Sequence, residues 1–190
     1  IPGAIAHVNM ERSGTLEVKV IGNAQAFGIC GSGMIDLLYE LRKSKVVDEH
    51  GTLCDTFFDT GYQVTEKVKF CQNDIRELQM AKAAIRAGID ILIKKAGISL
   101  QEIETCYLAG GFGTQIDIEK ASGIGLLPEK LKDKTISAGN TSLSGAAEYL
   151  KKKIGQSEFT NIIKSVTDIN LAGEDEFEIL YLQYLEINEN

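Results

Sequence analysis

Three times in this chain an apolar run breaks on a cluster of small residues and gives way to helical periodicity. The clusters are Gly28-Ile29-Cys30-Gly31-Ser32-Gly33, Ala109-Gly110-Gly111-Phe112-Gly113 and Ala138-Gly139-Asn140-Thr141-Ser142. A strand that ends on glycine and feeds a helix is the repeating corner of a layered α/β domain, because strands buried on both faces need helices to cover them. At such corners the carboxyl ends of strands meet the amino ends of helices, where ligands bind open α/β sheets and free backbone N–H groups hold anions. The fold class is therefore α/β, with at least part of the sheet parallel.

The segments between the corners agree. Residues 4–12 and 15–22 alternate as strands around Ser13-Gly14, a hairpin that adds an antiparallel edge. His7 reads as a structural residue of the first strand. After the first corner Met34, Ile35, Leu37, Leu38 and Leu41 form one broad helical face. Ser32 is placed to cap that helix, with Asp36 in its first turn. Val46-Val47-Asp48 reads as a short strand, and residues 52–72 as irregular with short alternating pieces. The clearest helix is 73–97, with Ile75, Leu78, Ala81, Ile85, Ile89, Leu92, Ile93 and Ala96 at helical spacing. Asp74 and Glu77 suit its start, Lys94 and Lys95 its end, and Gly97 its stop. Gly88 inside it costs about 1 kcal/mol against alanine and marks close approach of a helix or a ligand. Ser99-x-x-Glu102 is a capping box opening a short helical turn. Residues 104–109 read as a buried strand, 118–121 as a helix, 134–139 as a strand and 142–155 as a helix. Residues 159–171 read as a helix followed by a strand over 166–171, and 174–188 as a C-terminal helix.

Composition excludes several classes. With 44% hydrophobic residues the chain can build one substantial core, in one or two lobes. No run approaches the ~18 apolar residues of a membrane span, and the N-terminus lacks a secretory pattern. Twenty-seven acids against 20 bases give a net charge of −7, so the basic surplus of a nucleic-acid binder is missing. The one dense basic cluster, Lys151, Lys152 and Lys153, follows a helix, where cations suit the dipole. Cys30, Cys54, Cys71 and Cys106 form no CxxC pair, so no zinc or iron–sulfur site is expected within the chain. Scattered thiols without a secretory signal point to a reducing, cytoplasmic setting, and Cys106 reads as core. Ile1-Pro2-Gly3, running straight into strand-like sequence, reads as the interior of a longer protein.

None of the three corners is a phosphate-binding loop of the Gly-Lys-Ser/Thr kind, and none has the G-x-G-x-x-G spacing in the right setting. Gly110-Gly111 has another use. Without Cβ atoms the backbone can lie flat against a purine, or adopt dihedrals other residues avoid. The stretch alone leaves both open. Asp36 and Asp117 follow corners and suit either a metal or phosphate, or the first turn of a helix.

The ordered set FGICGSGMIDLLYEL, QNDIRELQMAKAAIRAGIDIL, YLAGGFG, GIGLLP and GNTSLSGA closely resembles the C-terminal region of one family. It is the family of ATP-dependent reductive activators of corrinoid proteins, and the resemblance runs on to the closing DINLAGEDEFEILYLQYL. It implies an actin-like ATPase fold, two ribonuclease-H-like lobes around a nucleotide cleft. This chain would be one lobe, a mixed sheet with flanking helices and an N-terminal hairpin. Residues 108–113 resemble the superfamily's adenosine motif, which makes Gly110, Gly111, Phe112 and Gly113 nucleotide-binding. Related ATPases line the purine pocket with the preceding helix. Lys82 and Arg86, four apart on one face, are candidates for that role, the alternative being a solvated basic face. Residues 139–146 resemble the segment whose helix packs between lobes.

The family's phosphate loops and ferredoxin domain have no counterpart here. The resemblance therefore implies that residues 1–190 are the C-terminal part of the ATPase domain, with the catalytic residues and the phosphate-loop lobe elsewhere in a parent protein. That parent would use ATP with Mg, carry a [2Fe–2S] cluster in an N-terminal domain, and return the cobalt(II) corrinoid of a methyltransferase system to cobalt(I). This chain would contribute the adenosine side of the cleft, hold no covalently bound cofactor, and show little or no ATPase activity alone. The implied partners are ATP and the corrinoid protein, in the cytoplasm, with no nucleic acid or membrane; a homodimer stays open. Two rival readings remain. One is a docking module whose adenosine motif is occluded by Phe112 and Tyr107. The other is part of another actin-like kinase or ATPase.

Overall fold

All three glycine corners turn a strand into a helix. The computed structural model describes residues 1–151 and 153–188, with the Phe112 side chain outside that description. In chain order the elements are β1 (Ala4–Met10), β2 (Leu16–Val20), β3 (Gly28–Ile29), α1 (Gly31–Lys43), α2 (Asp55–Phe58), β4 (Tyr62–Gln63), β5 (Lys69–Phe70) and α3 (Gln72–Lys95). There follow β6 (Cys106–Ala109), α4 (Gly110–Gly113), α5 (Ile118–Gly123), β7 (Thr135–Gly139), α6 (Thr141–Leu150), α7 (Gln156–Ser165) and α8 (Phe177–Gln183). Pairing is mixed, as expected, but is divided among three small sheets in the described residues: β2-β1-β3, β4-β5 and β6-β7. The hairpin β1–β2 is antiparallel, while β1–β3 and β6–β7 are parallel.

The main core forms where β1, α1, α3 and α5 converge. It includes Ile5, Val8, Leu37, Leu38, Leu41, Phe70, Ile75 and Ile124, all fully or almost fully buried. A second feature orders this half. β3 ends at Ile29, so β1 beyond Ile5 has no strand on that side. Polar side chains of α1 stand in for one. Ser32 Oγ donates to the Ala6 carbonyl at 2.8 Å, and Asp36 accepts the Val8 N–H at 3.1 Å. Glu40 pairs at 2.9 Å with Lys120 of α5, whose ammonium also reaches the Val8 carbonyl and Asn9. Ser32, Asp36 and Glu40 are four residues apart on one helix face. A helix rises about 6 Å over four residues and a strand advances about 6.6 Å over two, so the stripe keeps step with the strand. The cap expected at Ser32 is thus corrected: Cys30 holds the N-cap position without a side-chain bond, and Ser32 is drawn inside to serve β1.

α3 is corrected in another way. Its buried residues include Ile75, Leu78, Ala83, Ala87 and Ile91, but also Gln79, Lys82 and Arg86. Ile85 and Leu92, expected in the core, are about half exposed, as is Met80. Apolar residues lie on both sides of this helix, and the side with small residues takes the C-terminal segment. Gly88 belongs to that side: a Cβ there would lie 3.1 Å from Leu171 Cδ1, so the close approach it marks is that of Leu171.

Other boundaries also shift. The strand expected over 104–109 is β6 alone, and Tyr107 within it is open to solvent rather than buried. Residues 166–170 form no strand. α7 ends at Ser165, and the chain runs irregularly into a short 3-10 turn, Leu171–Gly173, without a ladder partner. The C-terminal helix shrinks to α8. Ser99 and Glu102 do make their bonds, both at 2.8 Å, but close a turn instead of opening a helix. Asp117 is an N-cap, accepting the Lys120 N–H at 3.1 Å. Lys152 of the basic cluster lies outside the described residues.

Candidate functional site

β6 and β7 run parallel with Leu108 opposite Ser137 and Ala109 opposite Gly139, so their two glycine corners lie side by side at the strands' carboxyl ends. Side chains knit the corners together. Ser137 Oγ donates to the Gly113 carbonyl at 3.1 Å, and Thr114 Oγ1 to the Gly111 carbonyl at 2.8 Å. Asn140 caps α6, its Oδ1 accepting the Leu143 N–H at 3.0 Å. The corner at Gly28–Gly33 serves packing instead: a Cβ on Gly33 would lie 2.4 Å from the Ile5 carbonyl oxygen.

The three glycines of the central corner are there for different reasons. Gly110 has φ +91°, a region open to glycine and strained for other residues. A Cβ on Gly113 would meet the Leu108 carbonyl carbon at 3.0 Å. Gly111 has neither constraint. Its φ is not positive, and a Cβ there would meet nothing within 4 Å. The fold needs glycine at 110 and 113 and has no use of its own for glycine at 111. Phe112 sits between them, with its side chain outside the described residues.

Lys82 and Arg86 do not form a solvated basic face. Lys82 is buried, and its ammonium donates to the Tyr184 carbonyl at 2.7 Å and to the Glu186 carbonyl. Burial pushes its pKa down to about 8, the charge of Arg86 adds to that, and Glu186 opposes it. Arg86 is also buried, 4.5 Å from the Tyr184 ring centre and 3.5 Å from Asp90. Tyr184 donates its hydroxyl hydrogen to Asp90. Further side chains hold the same segment: Arg42 Nε donates to the Ile187 carbonyl at 3.2 Å and Gln79 Nε2 to the Leu185 carbonyl at 2.7 Å. Sequence reasoning missed this clamp. Its signal was present, since Gln79, Lys82 and Arg86 fall on the same helical stripe as Ile75.

Asp36 is enclosed between α1 and β1. It bonds to Val8 and, at 3.2 Å, to His7, and burial raises its pKa despite those bonds and the charge of Lys120. Its Oδ2 serves the polar stripe, while Oδ1 is buried without a hydrogen-bond partner among the described residues. The four thiols are unpaired; Cys54 and Cys71 are exposed, Cys30 and Cys106 half-buried. Among the described residues no group of three or more His, Cys, Asp or Glu side chains could hold a metal ion. Nor is any described helix long and apolar enough to cross a membrane.

Comparison with known proteins matches residues 1–190 to the family model described as the C-terminal domain of RACo, the ASKHA domain. Corrinoid activation enzyme RamQ of Eubacterium limosum is 30% identical over 99% of this chain and 36% of its own length. A [Co(II) methylated amine-specific corrinoid protein] reductase of Methanosarcina barkeri is 30% identical over 87% of this chain and 30% of its own. A solved structure of a reductive activator for corrinoid, iron–sulfur protein superposes with a TM-score of 0.85 at 29% identity, over 98% of this chain and 33% of that one. The chain thus spans about a third of the length of the relatives it matches.

Proposed function

This chain belongs to the family of ASKHA-type C-terminal domains of the reductive activators of corrinoid proteins, and from that membership we propose that it forms the adenosine side of a nucleotide cleft in a longer parent protein. Gly110, Gly111, Phe112 and Gly113 form the platform. The single observation that carries this is Gly111: a glycine that neither backbone dihedral nor packing demands, set in open space beside a second glycine corner. A ligand that must lie against the backbone supplies the missing reason. Lys82 and Arg86 of α3 complete the proposed nucleotide side. Lys82 donates to the Tyr184 carbonyl and Arg86 lies over the Tyr184 ring, so both tie α3 to the C-terminal segment.

In this reading the parent uses ATP with Mg to drive the return of a cobalt(II) corrinoid to cobalt(I); the relatives' names, a corrinoid activation enzyme and a Co(II) corrinoid protein reductase, support its reductive part. Its phosphate loops and catalytic residues lie in the part outside these 190 residues. So does the [2Fe–2S] cluster, because the four thiols here are dispersed and do not fit one. Unpaired thiols suit a reducing cytoplasm. The partner is the corrinoid protein of a methyltransferase system.

The test is a titration of the chain with ATP and Mg, read by amide chemical shifts, for the wild type and Gly111→Ala. Saturable shifts at residues 110–113 and 139–142 that vanish in a stably folded Gly111→Ala are expected. Shifts that persist in the variant, or that centre elsewhere, would sink the platform.

A further inference from the structure

Helices α3, α5 and α1 end in the same way. Each closes with the pair of backbone bonds of a Schellman turn, in which the residue after the cap is left-handed. After α3, Gly97 donates to the Lys94 carbonyl and Ile98 to Ile93; after α5, Gly125 donates to Ser122 and Leu126 to Ala121. After α1, Lys45 donates to Arg42 at 3.0 Å and Val46 to Leu41 at 2.9 Å. The left-handed residue has φ +68° at Gly97 and +77° at Gly125, which glycine adopts freely. At Lys45 it has φ +62°, where a side chain is strained. Glycine would serve the fold better at 45, so the lysine points to a use for its side chain. Offering a cation to the helix dipole is not that use, because Arg42 and Lys43 already do so from the last turn.

Lys45 lines an open groove of about 840 Å³ between the end of α1, Gly123 at the end of α5 and the C-terminal segment at Ile187. Arg42, Lys43 and Tyr39 line it as well. Arg42 is fixed by its bonds to the Ile187 and Val47 carbonyls, at 3.2 and 3.1 Å, and Lys43 lies 5.7 Å from the Tyr39 ring centre. Elsewhere Lys94, Lys95, Lys120, Lys132 and Lys153 each have a carboxylate partner. Among the described residues Arg42, Lys43 and Lys45 have none, and no acidic side chain lines the groove, in a chain with 27 acids against 20 bases.

We propose that this groove is a docking site for an acidic, extended segment of a partner protein. Charge complementarity names the occupant: three unpaired cations along one groove are matched by several carboxylates in a row. An open groove of this size takes a length of chain rather than a single oxyanion, and Tyr39 and Ile187 give apolar surface to the links between the carboxylates. The groove shares no residue with the adenosine platform, and the proposal does not rest on that reading.

The test is fluorescence anisotropy of a labelled hexaglutamate peptide titrated with the full-length parent at low salt. Saturable binding that weakens as salt rises is expected. Lys45→Gly should weaken it about threefold, and Lys43→Gln added to it about tenfold, on the scale of exposed ion pairs. The melting temperature should hold or rise in Lys45→Gly, because glycine relieves the left-handed residue. Lys151→Gln with Lys153→Gln, in the other basic cluster, should leave binding unchanged. Absence of binding, or an equal loss from the two pairs of substitutions, overturns the proposal. So does displacement of the peptide by inorganic phosphate at matched ionic strength and charge, which would make the groove an oxyanion site.

Discussion

Leu38 in α1 and Leu150 in α6 are the same side chain in two helices that each leave a glycine corner, yet one is 0% and the other 79% exposed. The β1–α1–α5 half buries its aliphatic residues and pairs its interior charges Glu40 and Lys120, leaving Asp36 Oδ1 without a partner among the described residues. The β6–β7–α6–α7 half has well-formed strands, caps and corners but buries no side chain of α6 or α7. Secondary structure in the two halves is equally regular. Caps, glycine corners and register need only sequence neighbours, whereas burial needs a partner, and one half has its partner within these residues.

The sharpest way to break this contrast is through charge. Lys120→Met leaves Glu40 buried without its cation and is expected to cost about 3–5 kcal/mol, read by urea unfolding. Lys153→Met, which removes a solvated pair with Glu148, should stay within about 0.5 kcal/mol. Equal losses would erase the distinction between the halves. Next, Leu38→Ala should cost about 2–5 kcal/mol and Leu150→Ala in this chain about 0.5 kcal/mol or less. In the parent the cost at Leu150 should rise if that face is covered.

The third test uses pH. Lys82 titrates at about 8 when folded, against 10.5 for an unperturbed lysine. A folded pKa below the unfolded one means that the folded state gains relative stability as pH rises between those values. The gain is at most about 3 kcal/mol. Lys82→Met should flatten that rise in pH-dependent unfolding curves, and an unchanged slope would remove Lys82 as its source. The smallest effects are at the central corner. Gly113→Ala forces a Cβ against Leu108 and should cost about 1–3 kcal/mol, while Gly111→Ala should be neutral or stabilising by up to about 1 kcal/mol. Thermal unfolding of the pair separates a glycine the fold requires from one it does not.

Elements with a strong period or a turn signal were legible from sequence: the hairpin around Ser13-Gly14, α1, α3 and the three corners. What failed, failed where the deciding contact is distant or absent. Ile85 and Leu92 carry the right period for a core, but period does not say which of two apolar sides finds a partner. Lys82 reads as a purine-pocket candidate or a solvated cation until the Tyr184 carbonyl arrives from 102 residues away. Residues 166–170 have strand-forming side chains and no neighbour to pair with. At the site, the cluster of glycines was visible, but the separate reasons for Gly110, Gly111 and Gly113 emerge only when a Cβ is placed on each backbone.

The stripe of Ser32, Asp36 and Glu40 along β1 has a consequence for growth. A strand with idle N–H and C=O groups recruits other strands, and proteins that leave such edges open risk runaway association. By occupying Ala6 and Val8 with side chains, α1 acts as an end stop: a helix cannot be extended sideways as a strand can. Strand addition is thereby refused along β1 past Ile5, and the first sheet stays extendable at its outer strands, β2 and β3.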